Sequence, residues 1–225
     1  MTARSFQDLL GELERLGILL LSDPSFPSVT TFVTGGPIRG SWWAHPQGQD
    51  VFHLSEQLAD HPDVLVTKLL SGKVTYIHRR LWPCLLAVAM TREAWQVRGL
   101  SSVANRILRA VERHGRIRTD ELPQGFGTPR DRSEAVRNLE RGLLFHSREV
   151  HTATGKHAKI LVTWSRWAED AGLGGPAKTP AQAKRTLSDV VGKLNASTKA
   201  SARLPWDRPR VERVRALPRR MRKSS

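Results

Sequence analysis

An α+β fold is predicted for this chain from three features of its sequence. Residues 101–165 read in order as helix, short strand, helix, helix and two strands. The residues before them alternate amphipathic helical patterns with short apolar, β-branched runs, which is typical of a small mixed domain. The residues from 196 onward combine prolines and basic side chains with few apolar ones. We therefore expect two packed domains followed by a helix and a basic tail.

Residues 1–99 are predicted to form an N-terminal α/β domain. Leucines recur at helical spacing over residues 5–16, and the apolar run at 18–22 reads as a buried strand. The stretch that follows is rich in glycine and proline, so it is predicted to be mainly loop with one short helix at 28–34.

The domain continues with a helix predicted over residues 51–60. Ser71-Gly72 lies between two apolar, β-branched runs and predicts a hairpin, whose first arm could also be helical. Residues 81–90 are apolar almost throughout and predict a buried core helix.

Residues 100–170 carry the clearest pattern. Ser101 or Ser102 caps a first helix that ends near Gly115, and Thr119 is predicted to cap a brief second helix.

The third helix of this segment begins with Thr128, Pro129 and Asp131, a variant of the capping box, and ends at Gly142. Two strands follow, separated by the turn segment TATGK. Helix, short strand, two helices and a two-stranded wing are the order of a winged helix-turn-helix domain. The remaining residues are divided into a linker and C-terminal helix (171–195) and a basic disordered tail (196–225). That tail has too few apolar side chains to offset the entropy lost on ordering.

Positive charge is concentrated behind the first hundred residues. The chain has a formal net charge of +15 and a pI of about 11.2. Residues 1–100 contain nine basic and nine acidic side chains and are neutral, whereas residues 199–225 contain ten basic and two acidic ones, a net +8. Such an excess favours a polyanionic partner, of which nucleic acid is the commonest. A solvated basic surface without a partner is the alternative.

The third helix of a winged helix enters the major groove of DNA, where arginine can bridge guanine O6 and N7 or hold phosphates. Basic residues of this helix, of the wing and of the tail are therefore the candidates for contact with double-stranded DNA. They are Arg130, Arg132, Ser133, Arg137, Arg141, Lys156, His157, Lys159, Arg219, Arg220, Arg222 and Lys223.

The candidates on the third helix are expected on the face opposite Val136 and Leu139. One alternative is that Asp131, Glu134 and Glu140 pair with these arginines and leave the helix neutral. Such pairs are worth only about 0.2–0.5 kcal/mol each, so phosphate would displace them. A second alternative is that the domain binds a protein partner.

Cys84 is the only cysteine, which excludes an intramolecular disulfide and a cysteine-rich zinc site. The apolar run around it is too short to span a bilayer, and the N-terminus carries acidic residues where a signal peptide would not. We expect a cytoplasmic, nucleoid-associated protein without membrane contact, metal or cofactor.

Four stretches of the sequence resemble the AlkZ-related winged-helix proteins, a bacterial group related to a DNA glycosylase that unhooks interstrand crosslinks. They are PSVTTFVTGG with SWWAHP, KLLSGKVTYIHRRLWPCLLAVA, GLSSVANRILRAVERHGRIRTDEL, and EAVRNLERGLLFHSREV with TWSRW. Together they cover roughly residues 6 to 170. The resemblance implies a winged helix packed on a small α/β or winged-helix-like domain, and a link to DNA repair or transcription.

The related glycosylases use a Gln-x-Gln or Gln-x-Asp motif, to which Gln47, Gln49 and Asp50 correspond. A glycosylase also needs a pocket for a flipped nucleotide. The motif lies in a predicted Gly/Pro loop, and the chain is much shorter than a full-length glycosylase, so we favour a surface loop. Trp42 and Trp43 could stack on a base, although one ring of such a pair more often folds into a core. We predict a non-enzymatic DNA-binding protein; a lesion-directed glycosylase and a protein-interaction module are the alternatives.

Overall fold

The computed structural model describes residues 5–151, 157–175 and 177–207, which form an α+β fold with two three-stranded antiparallel sheets. The helices are α1 (Phe6–Leu16), α2 (Val29–Thr34), α3 (Gly48–Asp60), α4 (Trp82–Ala89), α5 (Ala94–Val97), α6 (Ser102–His114), α7 (Pro129–Arg141), α8 (Trp164–Asp170) and α9 (Pro180–Thr198). The strands are β1 (Ile18–Leu20), β2 (Val64–Thr67), β3 (Thr75–His78), β4 (Arg116–Arg118), β5 (His146–His151) and β6 (His157–Val162).

The first sheet has the order β1-β3-β2, so β3 is its central strand. Ile77 of β3 pairs with Ile18 on one side and Leu65 on the other, and all three side chains are buried. The predicted hairpin is confirmed, and its first arm is a strand. Its turn places Ser71 and Gly72 at φ 52° and 73°, a left-handed region that glycine adopts readily.

The second sheet has the order β4-β6-β5. Helices α6 and α7 share a core with it, in which Ile107, Leu139 and Leu161 are fully buried. Local capping explains where the helices begin. The side chain of Ser101 accepts a hydrogen bond from the Ala104 amide, and Thr128 begins α7 with a complete capping box.

The predicted second helix of this region is a single 3-10 turn at Gln124–Phe126. Thr119 does not cap it. The amide of Thr119 donates to the carbonyl of Lys159 at 2.9 Å, and its hydroxyl accepts from the amide of Lys159 at 2.9 Å. Thr119 therefore extends the pairing between β4 and β6, and the 3-10 turn begins only after Pro123.

The C-terminal end of α7 is fixed to the N-terminal part of the chain by Gln96. The buried amide of Gln96 donates to the carbonyls of Ala89 and Gly142, each at 3.2 Å. A Cβ at Gly142 would lie 2.9 Å from the Gln96 carbonyl oxygen, so this close approach requires glycine. Leu143 follows at φ 51° and is fully buried in the core formed mainly by β1–β3, α4 and α9. The two sheets thus belong to one packed body.

An aromatic cluster lies at the same junction. The ring of His146 packs 5.7 Å from Trp164 and 5.8 Å from Trp167, and Trp167 in turn contacts Trp82. Burial, together with a smaller effect of the Arg148 charge, lowers the pKa of His146 to about 4. The imidazole is therefore a neutral part of the packing at neutral pH.

The prediction of a disordered tail from residue 196 onward is wrong for residues 196–207. Helix α9 continues to Thr198, and Leu204 is only 1% exposed in the core beside α4 and α9. The amide of Ser71 donates to the carbonyl of Arg203 at 2.8 Å, and the Arg203 amide donates to the Ser71 hydroxyl at 3.1 Å. Few apolar residues suffice here because they pack against the core that α4 and α9 share.

In the part of the chain that the structure describes, no helix combines the length and apolar character needed to cross a membrane.

Replacing Leu204 by Ala should lower the free energy of unfolding by about 2–5 kcal/mol, because it removes a fully packed side chain and leaves a cavity. Urea denaturation of the full chain measures this loss. Arg203→Ala is the matched control, since its exposed side chain can be removed while its backbone bonds to Ser71 remain. Equal stability of the Leu204 variant and the wild type would mean that residues 199–207 contribute nothing to the fold.

Candidate nucleic-acid interface

Helix α7 borders two concave surfaces. The inner cleft, about 430 Å³, lies between α7 and the strands β5 and β6, and its lining includes Lys68, Leu122, Arg132, Val136, Glu140 and Lys159. The outer hollow, about 350 Å³, adjoins it along the same helix and is lined by Arg130, Ser133, Glu134, Arg137, Asn138 and Arg141.

The candidate residues of α7 divide between these surfaces. Because an α-helix turns by about 100° per residue, Arg137 and Arg141 each lie within about 20° of Arg130. All three are exposed, as is Ser133. They form the outer ridge, which we define as Arg130, Ser133, Arg137 and Arg141.

The prediction that Arg132 lies opposite Val136 is wrong. A spacing of four residues leaves the two only about 40° apart around the helix. Arg132 is half-buried and lines the inner cleft together with Val136. Arg132 therefore does not belong to the outer ridge.

The arginines of α7 are not neutralised along the helix. Within the residues that the structure describes, Arg130, Arg132, Arg137 and Arg141 form no ion pair within 4 Å. The carboxylate of Asp131 instead caps Thr128, whose hydroxyl donates to it at 2.7 Å and lowers its pKa.

Glu140 is turned inward and is 3% exposed. Its carboxylate accepts hydrogen bonds from Lys159 at 2.5 Å, Lys68 at 2.6 Å and the hydroxyl of Ser147 at 2.6 Å. Burial raises the pKa of Glu140, but these three donors outweigh burial and hold the pKa below its ordinary value. Glu140 is therefore an ionised carboxylate that links α7 to β5, to β6 and to Lys68, which directly follows β2.

The predicted DNA-contacting residues of the wing have different environments. The ammonium group of Lys159 is bound to Glu140, and its side chain is 25% exposed. His157 is exposed at the lining of the inner cleft. The remaining candidates lie outside the described residues; they are Lys156, Arg219, Arg220, Arg222 and Lys223.

Sequence reasoning missed Lys68 and the inward orientation of Glu140. Glu140 follows Val136 by four residues and adjoins Leu139, so it occupies an inward-facing position of an amphipathic helix. A carboxylate at such a position needs a partner, which was the available signal. Lys68 gave none, because it lies 72 residues earlier in the chain.

The Gln47, Gln49 and Asp50 motif does not lie in an irregular loop. Gln47 precedes the first residue of α3, and Gln49 and Asp50 are in its first turn. All three are exposed, and the Gln47 amide donates to the carbonyl of Val33 at 3.3 Å. None of them lines the inner cleft or the outer hollow.

The neighbouring tryptophans stack on each other with ring centroids 4.1 Å apart. Trp42 is half-buried against the core beneath α1 and α3, whereas Trp43 is 61% exposed and also contacts Phe52. Position 48 requires glycine, because a Cβ there would lie 2.8 Å from the Trp42 carbonyl oxygen.

Among the described residues, no group of three or more His, Cys, Asp or Glu side chains is arranged to hold a metal ion.

Replacing Glu140 by Gln should lower the free energy of unfolding by about 3 kcal/mol. Both lysines lose their shared carboxylate, and unpairing buried charges costs about 3–5 kcal/mol, with the smaller loss expected where the lysines still reach water. Glu134→Gln removes an exposed carboxylate from the same helix and should change stability by less than about 0.5 kcal/mol. Chemical denaturation of both variants measures the difference, and equal stabilities would show that the Glu140 network does not hold the fold.

The AlkZ-related family model matches residues 3–203, which include both sheets, α9 and the packed segment up to Arg203. Comparisons with curated proteins and with solved structures give no match. Because the family model spans nearly the whole described body, the chain belongs to the AlkZ-related family.

Proposed function

We propose that this protein is a non-enzymatic DNA-binding protein that places the outer ridge of α7 in the major groove of duplex DNA. The observation that carries the proposal is the outer ridge itself. It offers three exposed guanidinium groups and a hydroxyl on one face of one helix, with no carboxylate paired to those arginines among the described residues. Such a face needs an anionic partner to offset the repulsion among its charges.

The order of elements supports the same reading. Helix α6, strand β4, helix α7 and strands β5 and β6 follow one another in an order that resembles a winged helix-turn-helix domain, with a 3-10 turn in the place of the second helix. In that fold the helix equivalent to α7 is the one that reads base edges. An α-helix is about 10–12 Å across with its side chains, which suits a groove about 12 Å wide, and the 13 residues of α7 extend it to about 20 Å.

Helix α7 is also fixed at both ends. Its N-terminal end is capped by Thr128, the residue after its C-terminal end is bonded to Gln96, and Glu140 ties its last turn to Lys68 and Lys159. A contact surface that is already ordered loses little entropy on binding. Membership of the AlkZ-related family supports a role connected with DNA repair.

Replacing Arg130 and Arg141 together by Ala should weaken binding to duplex DNA. Each lost guanine contact would cost about 1–3 kcal/mol, and the loss would depend on the base sequence. Lost phosphate contacts would instead weaken all sequences equally and reduce the log–log salt slope by about 0.9 per contact. Fluorescence anisotropy with several duplexes at several salt concentrations separates the two.

The control is Arg185→Ala with Lys193→Ala, which removes the same charge from exposed positions on α9. Duplex binding should change little in this variant. If both pairs of substitutions weaken binding equally, affinity follows net charge and α7 is not the reading element. If neither does, α7 is better assigned to a protein partner.

The glycosylase alternative has its own test, which concerns Gln47, Gln49 and Asp50. Because these three side chains are exposed and line neither concave surface of α7, we expect no release of base from alkylated or crosslinked duplex DNA. Chromatography of the reaction products measures release. Turnover by the wild type that Gln47→Ala and Asp50→Asn abolish would replace the non-enzymatic proposal with the enzymatic one.

A further inference from the structure

The inner cleft has the size and construction of a small-molecule site. Its volume of about 430 Å³ falls within the roughly 300–1,000 Å³ typical of such sites. Its walls come from α7, from β5 and β6, and from Lys68 next to the first sheet. The Glu140 network fixes these walls relative to one another, so the cavity exists before any ligand enters.

One side of the cleft offers hydrogen-bond donors that the protein does not use fully. A lysine ammonium has three N–H donors, and Lys68 and Lys159 each direct one to Glu140. These lysine side chains are only 27% and 25% exposed. The guanidinium of Arg132 adds further donors and forms no ion pair with any described residue. These groups together favour an anion with several oxygen atoms.

The carboxylates of the lining do not cancel this charge. Asp120 is paired with Arg118, which lies outside the cleft, at 2.8 Å. Glu149 is 71% exposed at the rim and lies 3.9 Å from Lys159. Glu140 is the carboxylate that accepts hydrogen bonds from the ammonium groups of Lys68 and Lys159, and it is shared between the two. The cleft therefore retains positive charge.

Apolar side chains line the cleft beside these donors. They are Leu122, Val136 and Ala158, and each is less than a tenth exposed. An inorganic anion would leave these side chains in contact with water, and an apolar ligand would leave the ammonium and guanidinium donors without acceptors. A ligand with a phosphate group at one end and a flat, largely apolar ring at the other offers partners to both kinds of group.

We propose that the inner cleft binds a mononucleotide, with its phosphate on Lys68, Arg132 and Lys159 and its base against Leu122 and Val136. This function is separate from DNA binding by the outer ridge, and it reassigns Arg132 and Lys159 from the duplex to the cleft.

Isothermal titration with AMP and ATP tests the proposal, using adenosine and inorganic phosphate as the two halves of the ligand. The variant is Arg132→Gln, which loses one charge from the inner cleft. The matched control is Arg141→Gln, which loses the same charge from the same helix but lines only the outer hollow. Nucleotide affinity should fall at least about tenfold in the first variant and stay within about twofold of the wild type in the second. Each half of the ligand should bind more weakly than AMP.

Duplex binding by the same proteins separates this proposal from the proposed function. DNA affinity should respond in the opposite order, with the larger loss in Arg141→Gln. A wild type that binds nucleotide in an Arg132-dependent way but binds no duplex would overturn only the DNA proposal. The nucleotide proposal is overturned if the wild type binds neither AMP nor ATP at millimolar concentration, or if both variants lose nucleotide affinity equally. It is also overturned if Arg132→Gln weakens only duplex binding, since the cleft would then hold a backbone phosphate of DNA.

Discussion

The position of α7 relative to the two sheets depends on the buried carboxylate of Glu140. Its carboxylate is nearly inaccessible to solvent, yet it is ionised, because Lys68, Lys159 and Ser147 supply three short hydrogen bonds. An apolar contact at this place would hold the same elements together without fixing their directions. Charged hydrogen bonds specify distance and angle, and leaving any one of these groups unpaired in a buried setting is costly. The network therefore sets where α7 stands relative to β5, β6 and the first sheet.

The neutral N-terminal half of the chain helps to position α7. It carries no excess charge, but it supplies Lys68 to the inner cleft and Gln96 to the end of α7. Residues 199–207 contribute to the same body through Leu204 and through the backbone pairing of Arg203 with Ser71. The AlkZ-related family match reaches Arg203, so it extends past the second sheet into this segment.

Interactions between residues close in the sequence could be predicted, whereas contacts between distant residues could not. The caps of α6 and α7 involve residues three positions apart, so Ser101, Thr128 and Asp131 could be read directly. The side of α7 on which Arg132 lies was also readable, because helix geometry places it near Val136, and the prediction opposite Val136 did not apply that geometry. Glu140 pairs with Lys68 across 72 positions and Arg203 with Ser71 across 132. No local pattern encodes those contacts, so the network and the packed segment after α9 came only from the structure.

Ser133 and Arg137 line the inner cleft and the outer hollow at once, so one row of side chains is a wall of both. A long arginine side chain can be drawn toward an anion on either side, but a guanidinium group held on one side is unavailable to the other. Occupants of the two surfaces would then share a residue and could not bind independently. Their affinities would be linked by a single coupling free energy that acts with equal size in both directions. Because Ser133 and Arg137 belong to both linings, such a signal would pass through single side chains of α7.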